Sequence, residues 1–204
     1  MDLKSTYNKI ANDWFRDHQD DNWWLEGTTK FLSLLPKDAT ILDIGCGGGL
    51  KSKYLFDKGF KVTGMDFSEG MIDIAKREFP EIDFLVGDIY ELDSYQKKFD
   101  AVFAQAVLLH IPKDRINEAL NKLKNKLNPN GVLYIAVKET KIDQPDHENR
   151  IENDYGYEYE RFFSYFTLPE IKESIEKLDM KLIFDSVTTA GKTNWIQVIA
   201  KNIS

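Results

Sequence analysis

A doubly wound α/β fold, with a mostly parallel sheet and helices on both faces, is what this 204-residue sequence predicts. Three observations carry that expectation. Apolar runs alternate with amphipathic stretches from about residue 40 to 140, the βαβα rhythm of parallel strands joined by crossover helices. One run, residues 41–44, breaks into Gly45-Cys46-Gly47-Gly48-Gly49 and re-emerges as helix-compatible sequence from Leu50. Near the end, residues 181–184 and 195–200 read as two strands close enough to pair as an antiparallel hairpin.

Taken in order, residues 5–35 are helical in pattern and rich in aromatics: Tyr7, Trp14, Phe15, Trp23, Trp24 and Phe31. Strands follow at 41–44, 61–65, 83–86, 101–104 and 132–137, alternating with helical patterns at 50–58, 69–79 and 114–127. Ser68 is placed to cap the second of these helices. Asn128-Pro129-Asn130-Gly131 is a stop-and-turn signal before the fifth strand. A polar, then Tyr- and Phe-rich insert spans 141–166. Thr167-Leu168-Pro169-Glu170 is a capping-box start with Pro in the first turn, opening a helix to about residue 178. The expected organisation is one domain: a helical cap (1–36), a core (37–140), the insert, and a closing helix and hairpin (167–204).

Composition narrows the function classes. The longest apolar run, 101–109, contains Gln105 and is too short to span a bilayer. No apolar signal region follows Met1, so a cytoplasmic location and no membrane partner are expected. A single cysteine, Cys46, excludes an internal disulfide, and three histidines beside it make a structural metal site an unexpected feature. A formal net charge of −7 argues against nucleic acid as a partner, which needs clustered Lys and Arg. Oligomeric state is not legible.

The strand that turns into a helix at Gly45–Gly49 exposes backbone N–H groups that glycine leaves accessible to a nucleoside-bearing ligand. The dinucleotide fingerprint G-x-G-x-x-G fails at its third glycine, which falls on Leu50. Asp43, two residues before Gly45, suits a ligand bearing an ammonium rather than a pyrophosphate. The acid followed by G-C-G-G-G resembles motif I of the class I S-adenosylmethionine-dependent methyltransferases, and three further positions resemble that family in order. Asp66 ends the second strand, where the resemblance implies a carboxylate accepting both ribose hydroxyls. Phe67 and Met71 would then lie near the adenine. Gly87-Asp88-Ile89 follows the third strand, where Asp88 would accept from the adenine amino group and the neighbouring N–H would meet a ring nitrogen. The run Phe99 to Gln105 resembles the fourth-strand motif bordering the methionine part, which makes Gln105 a candidate contact. The resemblance is close over residues 37–140 and extends to the termini in layout. It implies a Rossmann-like class I methyltransferase fold, a mostly parallel seven-stranded sheet with a terminal antiparallel hairpin. It also implies S-adenosyl-L-methionine as cofactor and S-adenosyl-L-homocysteine as product, with Asp43, Gly45, Cys46 and Gly47 in the first turn. Singly, Asp66 and Asp88 read equally well as strand-end turn residues, and Asp66 alone would also suit NAD.

Methyl transfer from a sulfonium needs alignment of a nucleophile, and a base only if that nucleophile carries a proton. His110, in Val107-Leu108-Leu109-His110-Ile111-Pro112, is the candidate base; it reads otherwise as a residue that positions its loop. Lys138 ends the fifth strand with Glu139, as a pocket residue or as part of a solvated pair. Arg161 and Tyr165, within the aromatic insert, are candidate substrate contacts, unless these rings only seal the sheet edge. Tyr7, on the helical cap, is a candidate cofactor contact. No Asn-Pro-Pro-Tyr, Asp-Pro-Pro-Tyr or Pro-Cys run accompanies the fourth strand, so a small-molecule acceptor with an O or N nucleophile is the remaining class. The alternatives are a module that binds S-adenosylmethionine without transfer, and an NAD-dependent oxidoreductase, with which Leu50 and Asp88 disagree.

Overall fold

The computed structural model describes residues 2–203. Its main sheet has seven strands in the order β3-β2-β1-β4-β5-β9-β8. The parallel strands are β1 (Thr40–Ile44), β2 (Lys61–Asp66), β3 (Asp83–Val86), β4 (Phe99–Gln105) and β5 (Leu127–Lys138). β9 (Thr193–Asn202) runs antiparallel to β5, and β8 (Met180–Ala190) antiparallel to β9. The chain leaves β1 toward one edge and returns through β4 to the other, so the carboxyl ends of β1 and β4 flank the crevice where open α/β sheets take ligands.

β1 is buried on both faces, as a central parallel strand must be: Leu42 and Ile44 join one core layer and Ile41 the other. The first layer packs α5 (Ile116–Asn125) and α6 (Leu168–Lys177) through Leu120, Leu123, Ile171 and Ile175. The opposite layer packs α2 (Leu25–Leu32), α3 (Leu50–Asp57) and α4 (Glu69–Glu78) through Phe31, Leu55 and Ile72. Phe103 and Tyr134 stack inside it at 4.5 Å. Local signals act as expected: the Ser68 hydroxyl accepts from the Met71 N–H, and Thr167 and Glu170 form a reciprocal capping box.

The structure departs from the sequence expectation at four places. The helical cap is two helices, α1 (Leu3–Asp17) and α2, separated by a loop carrying Trp23. The insert is a two-stranded hairpin, β6 (His147–Glu152) with β7 (Tyr159–Ser164), outside the main sheet. The stop signal at 128–131 does not end pairing: β5 already begins at Leu127, opposite Phe99, and the register shifts before Ala101 pairs with Val132. Asn130 absorbs the bend in the left-handed region at φ 62°. The closing hairpin is longer than predicted, with only Gly191 and Lys192 between its strands, because Gly191 takes φ 56° in the turn. Asp100 accepts from the Thr40 N–H, the Thr40 hydroxyl and Asn128 Nδ2, tying β1 and β5 to β4.

Candidate active site

A cavity of about 360 Å³ opens at the carboxyl ends of the parallel strands. The turn after β1 forms one wall. Gly45 and Cys46 donate N–H bonds to the Met65 carbonyl at 2.7 and 3.1 Å, folding the turn across β2. Gly47 is held at φ 53°, where a side chain is strained, and a Cβ there would crowd the Trp14 ring of α1 at 3.2 Å. Its N–H donates to Asp66 Oδ2 at 2.9 Å, while Asp66 Oδ1 accepts from the Ser68 N–H at 2.9 Å. Asp66 thus couples the turn to the start of α4, and each oxygen retains a lone pair for a ligand hydroxyl.

Burial moves the acids here upward. The Asp66 carboxyl rises to about 6, against the pull of the Ser68 and Gly47 N–H groups. Asp43, which accepts the Ser52 hydroxyl at 2.6 Å, rises to about 7. Burial also raises the Cys46 thiol, with Asp43 and Asp66 adding to it, so a thiolate nucleophile has no support. Asp88 lines the cavity after β3 and caps a 3-10 turn, Ile89–Ser94, by accepting from the Tyr90 N–H at 2.8 Å. Phe67, Met71 and Ile89 add apolar lining. Gln105, at the end of β4, lines the cavity with its side-chain oxygen buried and unpartnered among the described residues. An acceptor atom so placed calls for a donor from a ligand.

The far end is built from β4, β5, β7 and α1. His110 sits in a 3-10 turn, Leu108–His110, beyond β4. Its Nδ1 is 2.7 Å from the Phe162 carbonyl, which can only accept, so Nδ1 carries the proton. Nε2 is therefore an acceptor, and it takes the Tyr7 hydroxyl at 2.7 Å. Burial holds the imidazole down to about 3, the Phe162 bond opposing it and the cations Arg161 and Lys138 adding to it. Burial raises the Tyr7 phenol in turn, while Arg161 beside it acts the other way. The Arg161 guanidinium grips Glu152 through Nε at 2.6 Å and Nη2 at 2.7 Å. Lys138 places Nζ 3.9 Å from the Phe163 ring centre, and burial, with the guanidinium groups of Arg161 and Arg150, lowers its ammonium to about 8.

Every predicted site residue but one meets in this cavity. Tyr165 does not line it: its hydroxyl donates to Glu148 and accepts from Arg150 Nη2 at 3.0 Å, so it is engaged with the β6–β7 hairpin instead. The hairpin's alternation turns Arg161 and Phe163 toward the cavity. The sequence reading missed Lys51 at the start of α3, and also His18, Asp21, Trp23, Phe163 and Trp195. Lys51 is largely buried, which lowers its ammonium, and it suits a ligand carboxylate. Its position directly after the glycine run was the available signal; the others converge only through tertiary packing. No group of three or more His, Cys, Asp or Glu side chains is arranged for a metal among the described residues. No helix among them is long and apolar enough to cross a membrane.

Residues 41–131 match a family model described as a methyltransferase domain. A putative methyltransferase, YqeM, of Bacillus subtilis is 34% identical over 124 residues, 57% of this chain and 48% of that protein. A ubiquinone biosynthesis O-methyltransferase of Coxiella burnetii is 33% identical over 140 residues, 60% of this chain and 59% of that one. The chain therefore spans about half to three-fifths of these relatives' length. In three dimensions it is similar to a Burkholderia thailandensis 1,6-didemethyltoxoflavin-N1-methyltransferase at a TM-score of 0.77 and 22% identity, over 99% of this chain and 88% of that one.

Proposed function

We propose that this chain transfers a methyl group from S-adenosylmethionine to a small-molecule acceptor. The observation that carries the reading is the convergence, at the sheet's switch point, of the glycine turn, Asp66, Asp88 and the unpartnered Gln105 oxygen. These residues fit an adenosyl amino acid. Asp66 would accept ribose hydroxyls, Asp88 the adenine amino group, and Gln105 and Asp43 the amino-acid ammonium, with Lys51 opposite its carboxylate. When bound, the cofactor supplies a methyl group already activated on a sulfonium. The chain's own part is then to bind, to exclude water and to align the acceptor, a contribution worth on the order of 7–11 kcal/mol.

α1 excludes water. It is pinned to the hairpin by the Thr6 hydroxyl on the Glu160 carbonyl (2.9 Å) and by Tyr157 on Asp13 (2.7 Å). It is pinned to α4 by Asn8 Oδ1, which accepts from the Ser68 hydroxyl (2.7 Å) and the Gly70 N–H (3.0 Å). His110, proposed from sequence as a base, has both ring nitrogens occupied; we assign it to holding Tyr7 over the cavity. The acceptor's proton is therefore not taken by a free imidazole. Relatives named for O-methylation and for N1-methylation support either nucleophile.

Calorimetry with S-adenosylhomocysteine and with NAD tests the reading: binding of the first and not the second is expected, and the reverse sinks it. A second reading, capture of the cofactor without transfer, is favoured by the engagement of both His110 ring nitrogens. Incubation with methyl-labelled cofactor and a metabolite pool separates the two, since a sensor yields no labelled product.

A further inference from the structure

At the far end of the cavity, Lys138 is a cation with no ion pair of its own among the described residues. Arg161 is held by Glu152, and Arg150 by Glu148 at 2.6 Å. Lys138 shares this neighbourhood with both pairs, but it forms no ion pair among the described residues. Three cations face two carboxylates, and one positive charge is left over. The remaining titratable neighbours do not offset it, because His110 and Tyr7 are bonded to each other as neutral groups. The ammonium rests instead on aromatic faces, 3.9 Å from the centre of Phe163 and 5.8 Å from that of Trp195. A ring face attracts a cation but does not neutralise it, and an unmatched buried charge is costly to keep.

The backbone makes this a fixed feature. Lys138 pairs directly with Trp195 in the β5–β9 register, and Trp195 stacks on Trp23 at 3.9 Å with planes 10° apart. The result is a flat aromatic wall beside a partly buried ammonium, one strand over from the unpartnered Gln105.

Resting on the methyl-transfer reading for the identity of the site, we propose that the acceptor is a planar molecule that binds as an anion, its anionic oxygen paired with Lys138. The engagement of both His110 ring nitrogens agrees with this: an acceptor whose ionised oxygen is itself the nucleophile needs no proton removed on the protein. A carboxylate beside the nucleophile and an ionised phenol would both supply the anionic oxygen.

The test is a binding panel on the full chain at neutral pH, saturated with S-adenosylhomocysteine. Benzoate is compared with benzamide, and 2,4-dinitrophenolate with 1,3-dinitrobenzene. At least one anion should exceed its neutral partner by about tenfold or more, as for a charge-assisted pair in a partly desolvated site. Which anion does so distinguishes carboxylate from phenolate. Lys138→Met, which keeps the length and removes the charge, should abolish the preference and leave S-adenosylhomocysteine affinity unchanged; Lys138→Arg should retain it. Equal binding of charged and neutral partners, or a preference that survives Lys138→Met, overturns the proposal. Should S-adenosylhomocysteine not bind, the methyltransferase reading fails, and the same panel without it still decides whether Lys138 selects anions.

Discussion

The Tyr7 hydroxyl donates to His110 Nε2 across 2.7 Å, joining residues 103 positions apart. One lies on the helix that covers the cavity and the other on the turn beyond β4. The bond has a fixed direction, because the Phe162 carbonyl takes the only ring proton of the imidazole. It therefore closes α1 over the site while neutralising the most obvious candidate base.

Tyr7→Phe should loosen that closure. The substitution leaves a buried imidazole nitrogen unpartnered, a loss of about 1–3 kcal/mol. S-adenosylhomocysteine should dissociate roughly tenfold faster in a stopped-flow displacement experiment, since a tenfold change corresponds to ~1.4 kcal/mol. An unchanged dissociation rate would mean that α1 does not retain the ligand.

Asp66→Asn keeps the shape of the side chain but sets an NH₂ against the Gly47 or Ser68 N–H, where an acceptor now stands. Cofactor affinity should fall about tenfold or more, because charge-assisted bonds to the ribose are also lost. Isothermal titration reads this directly, and wild-type affinity would remove Asp66 from the site.

Burial lifts Asp66 to about 6 and Asp43 to about 7, which sets the pH dependence of binding. Both are anions above these values and become neutral as the pH falls through them. Affinity for S-adenosylmethionine, whose ammonium and hydroxyls prefer carboxylates, should be full near pH 8 and weaken progressively toward pH 5. A flat profile over that window would separate these acids from the ligand.

The same shifts make an opposite prediction for the ligand-free fold. A raised folded value contributes stability below the unfolded value, near 3.8, that is lost as the pH rises through 6 and 7. Asp43→Asn should therefore raise Tm at pH 8 relative to wild type, with the gain vanishing near pH 4. A difference in Tm that does not vary with pH would contradict the assignment of Asp43 as a buried, strained acid.

Thr167→Ala removes half of the capping box at the start of α6, away from the cavity. It should cost about 1 kcal/mol in a chemical denaturation experiment and leave cofactor affinity unaltered. A loss of affinity would reveal that α6 communicates with the site.

The cofactor side of the cavity was legible because each part of it lies at the end of a strand or within three residues of it. A buried apolar run fixes where a parallel strand ends, and Gly45, Gly47, Asp66, Asp88 and Gln105 all sit at such ends, where a doubly wound sheet gathers them. The acceptor side was legible only in part. His110 was identifiable by type and position, yet its tautomer and its engagement with Tyr7 depend on a carbonyl 52 residues away. Tyr165 and Arg161 were indistinguishable in an aromatic insert until the fold set Arg161 at the cavity and tied Tyr165 to Glu148 and Arg150.

The sequence by itself determined the order of strands and helices from about residue 40 to 140, the glycine turn and the acids that follow it, because those depend on local periodicity and local backbone freedom. Only the tertiary structure decided which charges are matched. Arg161 finds Glu152 across a hairpin, whereas Lys138 meets Phe163 and Trp195 and forms no ion pair among the described residues. Partners brought together from distant parts of the chain leave no periodic trace along it, since the geometry that joins them exists only once the sheet has formed.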